Sequence, residues 1–564
     1  MLQYEHHIDK ITGYEWIATA LKGKALLQSA LLNKDTAFSL EERDKLELVG
    51  LLPARVETLD EQVARIRYQY QRYPSDLQKF IFLHSLHHRN ETLFYKFVSG
   101  HLAECFPVLY TPGVGEAVRF FSEEYRQPRG LYLNFAEKDK MEKMFDNRFY
   151  PEVDLIVVTD GEGVLGIGDQ GIGGMNISIA KLMVYSLCGI NPYRTLPIIL
   201  DVGTDNKTLL NDPLYVGWRA NRVRGQQYDD FIKQFVDLVH QKFPNSFLHW
   251  EDFGRDNARR ILDQHKSKHC MFNDDMQGTG VVTLAALLAA VNATKIPFQN
   301  QRVVIFGAGT AGVGIADQLC AAMIRYGLSQ EEARKRFWLI DKYGLLLEDS
   351  PSLTTFQKPY ARTKDEVAKW PDLDLMNVVR GIKPTILVGC STVRGAFTPD
   401  IIIEMNKHVA RPIIFPLSNP TEKCEARPEN IFQWTHGSAL IATGSPFGDV
   451  DYNRKSYRIA QCNNALAFPG IGLGVLAVGA SELTDNMLWA ASLALSKLAP
   501  VRSNPEGALL PALSDILGVS RLVACDVANM AIQEKVATKQ LGRQIEDVID
   551  DLIWKAEYKE IRSL

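Results

Sequence analysis

The chain lacks the long apolar runs, the export signal and the charge excess that would direct it to a membrane or to nucleic acid. Among its 564 residues, apolar stretches such as residues 281–291 fall well short of the roughly 20 residues that a membrane span needs. Its start, MLQYEHHIDK, has no apolar core and carries Glu5 and Asp9, which argues against a secretory signal or a transit peptide. Lys+Arg 63 against Asp+Glu 67 gives a formal net charge of −4. We therefore expect neither nucleic acid nor a membrane as a partner.

Cysteine is scarce and scattered. The eight cysteines include no pair at CxxC spacing, so neither a disulfide framework nor a zinc cluster is expected. Buried thiols in a reducing compartment fit this pattern, and we expect a cytoplasmic protein.

What is present is ordinary globular composition, with 46% hydrophobic and 23% charged residues. The length suggests three to four domains of about 150 residues each. Residues 1 to about 130 and the last hundred residues have helical texture, whereas from Asp154 short apolar runs alternate with helical stretches. Continuous apolar runs indicate strands covered on both faces, hence an α/β fold with parallel sheets. The predicted strands are 155–158, 197–200, 247–250, 303–306, 337–340, 385–388, 412–415 and 439–442.

A dinucleotide-binding unit is predicted around the second of three glycine-rich segments. This segment consists of Gly307, Ala308, Gly309, Thr310, Ala311 and Gly312; it follows the strand 302–306 and opens a helix over 313–326. The next strand ends in Asp341, which is placed to accept hydrogen bonds from a ribose hydroxyl. An acid there repels a 2′-phosphate, so NAD is favoured over NADP, although Lys342 and Lys358 would soften that preference.

The other two glycine-rich segments have weaker contexts. Residues 166–171 are separated from their strand by a long turn, so a tight strand-to-helix connection that binds nothing is an equal alternative. Residues 470–474 follow Pro469 without a preceding apolar strand, which indicates a close-packed entry into a helix.

Two pairs of adjacent acids follow predicted strands. Glu251 with Asp252, and Asp274 with Asp275, repel within each pair unless a cation lies between them. Carboxylates without interleaved Cys or His suit Mg²⁺ or Mn²⁺ better than zinc. The alternative is that these acids are solvated and cap the helices that follow.

Two further side chains are candidates for proton transfer. Lys181 lies on the apolar stretch 177–185, where burial would favour the neutral form that a base needs. The commoner alternative is a lysine that extends along an amphipathic helix to reach water. Tyr110 precedes a turn, a position at which most tyrosines serve only packing.

Taken together, the motifs of the chain resemble those of malic enzymes. The resemblance runs in the family's order from 48–53 to the C-terminal helices. It implies a helical N-terminal domain (1–128), a central α/β catalytic domain (129–274 and 465–536), an inserted Rossmann-type NAD-binding domain (275–464) and a C-terminal tail (537–564). It also implies a homodimer or homotetramer that acts on malate. The motifs are 109–112, 158–162, 168–171, 201–204, 251–253, 272–279, 417–421, 463–464 and 468–470.

The resemblance also implies roles for individual residues. Lys181 would be the general base and Tyr110 the general acid, with Asp274 beside Lys181. Malate would then be oxidised and decarboxylated to pyruvate and CO₂ while NAD becomes NADH. The other implied roles are Glu251, Asp252 and Asp275 as ligands of Mg²⁺ or Mn²⁺, Gly307–Gly312, Asp341 and Asn419 as NAD-binding residues, and Asn419, Asn463 and Asn464 as substrate-binding residues.

One position departs from the family pattern. Malic enzymes usually have an arginine directly after the glutamate of the 160–162 run, whereas Gly163 stands here. Malolactic enzymes, relatives that convert malate to lactate and retain NAD, also have glycine there, so this activity is the alternative. Arg129, Arg219 and Arg255 are the candidates for a replacement cation. A catalytically inactive, ligand-sensing relative is a third hypothesis, against which the retained Tyr110, Lys181 and acids argue.

Overall fold

The computed structural model describes residues 4–9, 14–148, 152–164, 166–350 and 353–564, without the side chains of 255 and 256. Strands and helices are numbered separately in chain order. The strands are β1 (Tyr4–Ile8), β2 (Glu15–Thr19), β3 (Leu131–Asn134), β4 (Leu155–Thr159), β5 (Thr195–Asp201), β6 (Phe247–Trp250), β7 (Met271–Asn273), β8 (Val303–Phe306), β9 (Phe337–Asp341), β10 (Gly344–Leu345), β11 (Ile386–Gly389), β12 (Ile413–Pro416), β13 (Leu440–Thr443), β14 (Val450–Tyr452), β15 (Lys455–Tyr457), β16 (Ala460–Gln461) and β17 (Glu560–Ser563).

The α-helices make up about two fifths of the described chain. They are α1 (Gly23–Leu27), α2 (Leu40–Lys45), α3 (Leu59–Tyr70), α4 (Asp76–Arg89), α5 (Glu91–Gly100), α6 (Leu102–Leu109), α7 (Gly113–Arg119), α8 (Met141–Asp146), α9 (Met175–Leu187), α10 (Lys207–Asn211), α11 (Gln226–Lys242), α12 (Arg255–His265), α13 (Thr279–Thr294), α14 (Thr310–Arg325), α15 (Gln330–Arg334), α16 (Lys364–Val367), α17 (Leu375–Ile382), α18 (Pro399–His408), α19 (Pro428–Trp434), α20 (Phe468–Val478), α21 (Asp485–Lys497), α22 (Ile516–Gln533) and α23 (Ile545–Leu552).

The chain forms two compact units. The first comprises residues 1–246 and 551–564, and the second comprises residues 247–550. The four predicted domains do not follow these units: 247–274 and 465–536 of the predicted central domain lie in the second unit. The division into four domains stays a prediction.

In the first unit, β5 pairs in parallel with β3 on one side and β4 on the other. Helix α9 packs against β4 and β5 and also against α5 and α7. Every residue of α9 is buried as a result. A helix enclosed in this way is apolar all round, which is the texture of its sequence.

The texture of residues 1 to about 130 predicted a helical region, but this region also contains strands. Strands β1 and β2 pair antiparallel, and β17 adds to β2 in parallel. The C-terminal tail, predicted to be helical, therefore ends in a strand. The partner of β2 lies at the far end of the chain, and two five-residue alternations are too short to identify strands by themselves.

In the second unit, one sheet has the strand order β10-β9-β8-β11-β12-β13-β16. All its neighbours pair in parallel except β10 with β9. The chain starts at β8, moves outward to β9 and then returns to β11 on the other side. This reversal is the doubly wound Rossmann topology, and it leaves a crevice at the carboxyl ends of β8 and β11. The predicted α/β class is confirmed.

All eight strands predicted from apolar runs are present, with ends within two residues of their predicted positions. Their burial explains this agreement. Every residue of β4, β5, β6, β11, β12 and β13 is buried.

One helical stretch, Asp274–Thr294, is long and apolar enough to cross a membrane by length and composition alone. However, 72% of its most apolar window is buried inside the protein. Helix α13, which forms most of it, packs against α14 and α21. We therefore describe it as a core helix.

Candidate active site

Lys181 and Tyr110 lie together in the first unit. Helix α9 carries Lys181, which is only 4% exposed, and Tyr110 follows the last residue of α6 and is 7% exposed. The Lys181 Nζ lies 5.4 Å from the centroid of the Tyr110 ring. The alternative of a lysine that reaches out to water is therefore wrong, and the two predicted proton-transfer groups are neighbours.

The loop after β4 is held by buried ion pairs. Arg222 donates through Nε and Nη2 to both carboxylate oxygens of Asp169, at 2.7 Å each, and through Nη2 to the Asp160 carbonyl at 2.9 Å. Tyr228 Oη donates to Asp160 Oδ2 at 2.7 Å. Burial raises the pKa of Asp160. Burial would also raise the pKa of Asp169, but the hydrogen bonds and charge of Arg222 hold it below its ordinary value.

Three arginines are candidates to replace the arginine that the family usually has where Gly163 stands. The two whose side chains are described contact other groups. Arg129 forms an ion pair with Glu91 and lies 2.9 Å from His87 Nε2. Arg219 donates to the carbonyls of Pro213 and Tyr215. The side chain of Arg255 lies outside the described residues.

In the second unit, the predicted metal ligands converge. The carboxylates of Glu251, Asp252 and Asp275 each bring an oxygen within 4.8 Å of the others. Glu251 and Asp252 follow β6, and both are 3% exposed. The Asp252 backbone adopts φ +54°, and its N–H donates to Asp275 Oδ2 at 2.9 Å. Glu251 and Asp252 are buried and Asp275 is half-buried, so the alternative of solvated capping acids is wrong for Glu251 and Asp252.

The sequence prediction missed His249 in this cluster. Its Nε2 lies 2.7 Å from Glu251 Oε2, and the ring is fully buried. Ligand atoms of His249, Glu251 and Asp274 also lie within 4.8 Å of one another. Alternate residues of a strand share one face, so the two-residue spacing from His249 to Glu251 is the signal that would have found it.

Asp274 and Asn464 are joined in the same unit. Asp274 is fully buried and opens the π-helical turn Asp274–Gly278. Asn464 Nδ2 donates to Asp274 Oδ2 at 3.0 Å and lies 3.1 Å from Thr279 Oγ1. Asn464 thus fixes the orientation of the Asp274 carboxylate, and the expected place of Asp274 beside Lys181 stays a prediction.

Gly278 provides the space that Asp274 occupies. A Cβ added at Gly278 would lie 1.9 Å from Asp274 Oδ1. We expect Gly278→Ala to displace this carboxylate and to lower kcat about 10²-fold, the cost of a misplacement of about 1 Å. Gly518→Ala, a helical glycine with open space around it, is the control. Steady-state kinetics on both variants checks this, and unchanged kcat in Gly278→Ala would contradict it.

The predicted NAD loop has the geometry of a dinucleotide site. Gly307 has φ +113°, and a Cβ added to it would lie 2.4 Å from the Cys390 carbonyl carbon. A Cβ at Gly312 would lie 2.0 Å from the Gly307 carbonyl oxygen. Helix α14 starts at Thr310, whose buried Oγ1 has no hydrogen-bond partner in the part of the chain that the structure describes. Asp341 ends β9 as predicted, and its Oδ1 accepts from the Tyr343 N–H at 2.7 Å.

Glycines of the other two segments are needed for close packing at Gly171, Gly470 and Gly474, whereas Gly168 has open space around it. A Cβ at Gly171 would lie 2.2 Å from Tyr215 Oη, and one at Gly161 would lie 2.3 Å from the Gly171 carbonyl oxygen. Gly470 and Gly474 lie within α20, where added Cβ atoms would each meet α22 at 2.7 Å. The close-packed helix expected at the third segment is thus present.

Asn419 and Asn463 both lie in loops that follow strands of the Rossmann sheet. Ser445 Oγ donates to Asn419 Oδ1 at 2.6 Å, so the amide of Asn419 has one defined orientation. Asn463 Oδ1 accepts from the Ala465 N–H at 3.0 Å and caps a short 3₁₀ turn. Their predicted contacts with substrate and NAD stay predictions.

Comparison with known proteins gives concordant matches. Residues 87–266 match the family model "malic enzyme, N-terminal domain", and residues 276–532 match "malic enzyme, NAD binding domain". The chain is 50% identical to NAD-dependent malic enzyme 3 of Bacillus subtilis (strain 168), over 98% of this chain and 99% of that protein. It is 48% identical to the NAD-dependent malic enzyme of Sodalis glossinidius (strain morsitans), over 96% of both chains.

Solved structures agree on the fold. The crystal structure of Entamoeba histolytica malic enzyme aligns with a TM-score of 0.56 at 24% identity, over 90% of this chain and 91% of that one. At this identity the likeness shows the fold alone.

Proposed function

Because the chain belongs to the malic enzyme family, we propose that it oxidises and decarboxylates malate to pyruvate and CO₂ while it reduces NAD to NADH. The observation that carries this proposal is the convergence of three carboxylates, the buried Glu251 and Asp252 and the half-buried Asp275, in the unit that also contains the Rossmann sheet. An inactive relative would have no need to retain such a costly cluster of like charges.

The donor set fits a divalent cation. Three carboxylates with oxygens within 4.8 Å of one another, two of them buried, repel one another, and a cation between them would relieve that repulsion. Oxygen ligands favour Mg²⁺ or Mn²⁺, and we assign Glu251, Asp252 and Asp275 as the ligands. When bound, such an ion withdraws electrons from the 2-oxo acid as CO₂ leaves.

The glycine loop fits NAD. Gly307 allows the tight turn after β8 and Gly312 allows α14 to pack closely on that turn, as in dinucleotide-binding loops, and the buried Thr310 hydroxyl lies at the start of α14, where anions bind. NAD supplies the hydride acceptor at this site. We assign Gly307–Gly312 and Asp341 to its adenosine and pyrophosphate half, and Asn419 to the nicotinamide half and the substrate.

Asp341→Ala tests this assignment. The ribose would lose a charged acceptor, so we expect a loss of about 1.5–3 kcal/mol, seen as a KM for NAD raised by roughly 10- to 100-fold. Asp372→Ala is the control, because Asp372 is exposed and also accepts a backbone hydrogen bond. Unchanged NAD kinetics in Asp341→Ala would show that another acid binds the ribose.

Two buried groups of the first unit move protons in this proposal. Lys181 accepts the proton of the malate C2 hydroxyl during hydride transfer, and Tyr110 later protonates the enol carbon. Their burial supports these roles, because water is excluded from both side chains. Asn463 and Asn464 would hold the substrate, with Asn464 acting also through Asp274.

End-product analysis with malate, Mn²⁺ and NAD tests the proposal as a whole. We expect pyruvate and NADH in equal amounts. Gly163 favours the second candidate, malolactic activity, which would give lactate without net NADH. If neither pyruvate nor lactate forms, the protein is an inactive relative.

We further propose a cytoplasmic homodimer or homotetramer that divides into the four predicted domains. All eight cysteines are free thiols and six are buried, which supports a reducing compartment. The match to the N-terminal-domain model ends at residue 266 and the match to the NAD-binding-domain model begins at residue 276, close to the predicted boundary at 274. Exposed apolar side chains at Leu40, Val49 and Leu51 support an interface between copies, which light scattering would measure.

A further inference from the structure

A fully buried carboxylate joins two loops at the crevice edge of the Rossmann sheet. Glu425 lies on neither a strand nor an α-helix and is 0% exposed. It accepts hydrogen bonds from both the backbone N–H and the hydroxyl of Ser391, at 2.9 and 2.8 Å. It also accepts from the backbone N–H and the hydroxyl of Ser418, at 3.3 and 2.5 Å. Four donors from two separate loops therefore converge on one carboxylate.

The two loops follow adjacent parallel strands. Ser391 lies two residues beyond β11, and Ser418 lies two residues beyond β12. A direct bond also links them, because the Thr392 N–H donates to Ser418 Oγ at 2.8 Å. Thr392 has φ +59°, a left-handed conformation that a threonine keeps only where its surroundings hold it. Glu425 and Ser418 supply those surroundings.

This pair of loops lies where the second half of a dinucleotide belongs. Asp341 ends β9 on one side of β8, so the adenosine half lies on that side. The nicotinamide half then extends to the other side, over the carboxyl ends of β11 and β12. Asn419 directly follows Ser418, and Ser445 orients its amide from the far side. The position of Asn419 therefore depends on the Ser418 loop.

We propose that Glu425 is a positioning residue for the nicotinamide half of the cofactor, acting through Ser418 on Asn419. This inference rests on the proposed function. A carboxylate suits the role because it offers acceptor sites in several directions and no donor, and the four groups that hydrogen-bond to it here all donate. A glutamine would turn an N–H toward serine donors and would lose part of the set.

The test compares two ligands that differ only in the nicotinamide half. Dissociation constants of the full-length protein are measured for NADH, by its fluorescence, and for ADP-ribose, by calorimetry. For Glu425→Gln we expect the Kd for NADH to rise about tenfold, the cost of about one hydrogen bond to a charged group. The Kd for ADP-ribose should stay within about twofold, because the glycine loop and Asp341 are unchanged. Glu422→Gln, an exposed glutamate in the same segment, is the matched control.

A purely structural role would affect both ligands alike, so the split between them is decisive. If Glu425→Gln binds neither ligand and shows no cooperative melting transition, the variant has failed to fold. Ser418→Ala is then the deciding variant. This variant removes only the hydroxyl shared by Glu425 and Thr392, and it must weaken NADH selectively. Unchanged NADH binding in Glu425→Gln, or unselective weakening in a folded Ser418→Ala, would overturn the proposal. A parent protein that binds neither ligand would instead refute the proposed NAD site.

Discussion

Replacing Lys181 by alanine is expected to slow NADH formation from malate by about 10²–10⁴-fold, the usual contribution of a general base. The base must take the C2 hydroxyl proton as the hydride leaves, and Lys181 is the buried amine that lies beside Tyr110. The Kd for NADH should stay close to that of the parent, because the residues assigned to NAD, Gly307–Gly312, Asp341 and Asn419, are unchanged. Lys143→Ala, at an exposed lysine of α8, is the control.

Amine rescue separates loss of a base from loss of structure. The alanine variant leaves a space of side-chain size in a fully buried helix, and a small amine such as methylamine can fill it. We expect added methylamine to restore part of the rate in Lys181→Ala and to leave the parent and Lys143→Ala unchanged. Malate oxidation at the parent rate in Lys181→Ala would refute the role of this lysine.

Tyr110→Phe gives the complementary result. The variant keeps the ring that lies 5.4 Å from the Lys181 Nζ, so the lysine retains its neighbour and only the phenol hydroxyl is lost. If Tyr110 protonates the enol, this variant should form NADH at the parent rate in the first turnover and then slow down. Stopped-flow absorbance distinguishes the two variants, since Lys181→Ala should show no such burst. The roles are interchanged if the burst appears in Lys181→Ala instead.

The sequence predicts those parts of the fold whose signals are local. The strands were found because residues covered on both faces form continuous apolar runs, and β6 and β8 begin and end where predicted. Strands β1 and β2 were missed because each is only five residues long, although they pair locally, and β17 was missed because its partner β2 lies more than 500 residues away. Local texture carries no information about such a pairing.

The site residues also divide into those that a local pattern predicts and those that depend on contacts made only in the folded chain. Adjacent acids after a strand predicted a metal site that includes Glu251 and Asp252; the structure brings these carboxylates together with Asp275, and metal binding there stays a prediction. The need for glycine at 278 could not be predicted from the sequence, because the clash between an added Cβ and Asp274 depends on the turn that the chain adopts. Glu425 was missed because its partners lie 34 and 7 residues away in two other loops. The role of Tyr110 came from family resemblance alone, since no pattern around it predicts proton transfer.

Removing divalent cations is expected to abolish turnover, and restoring Mn²⁺ should recover it. The carboxylates of Glu251, Asp252 and Asp275 are the assigned ligands, and their oxygens lie within 4.8 Å of one another. Full activity after exhaustive chelation would end the proposal that the reaction needs a metal.

Asp275→Asn tests the ligand set more sharply than chelation does. Asp275 Oδ2 accepts from the Asp252 N–H at 2.9 Å, and an asparagine can keep that bond through its own carbonyl oxygen while it loses the charge. Outer-shell partners of a metal contribute 10- to 100-fold in affinity, so losing a direct ligand should raise the Kd for Mn²⁺ at least about 100-fold. Calorimetry measures this without turnover, and Asp485→Asn, at an exposed aspartate of α21, controls for the loss of one negative charge. Because the backbone bond is preserved, weaker Mn²⁺ binding with an unchanged melting temperature assigns the effect to coordination. Parent-like Mn²⁺ affinity in Asp275→Asn would instead show that the cation lies elsewhere.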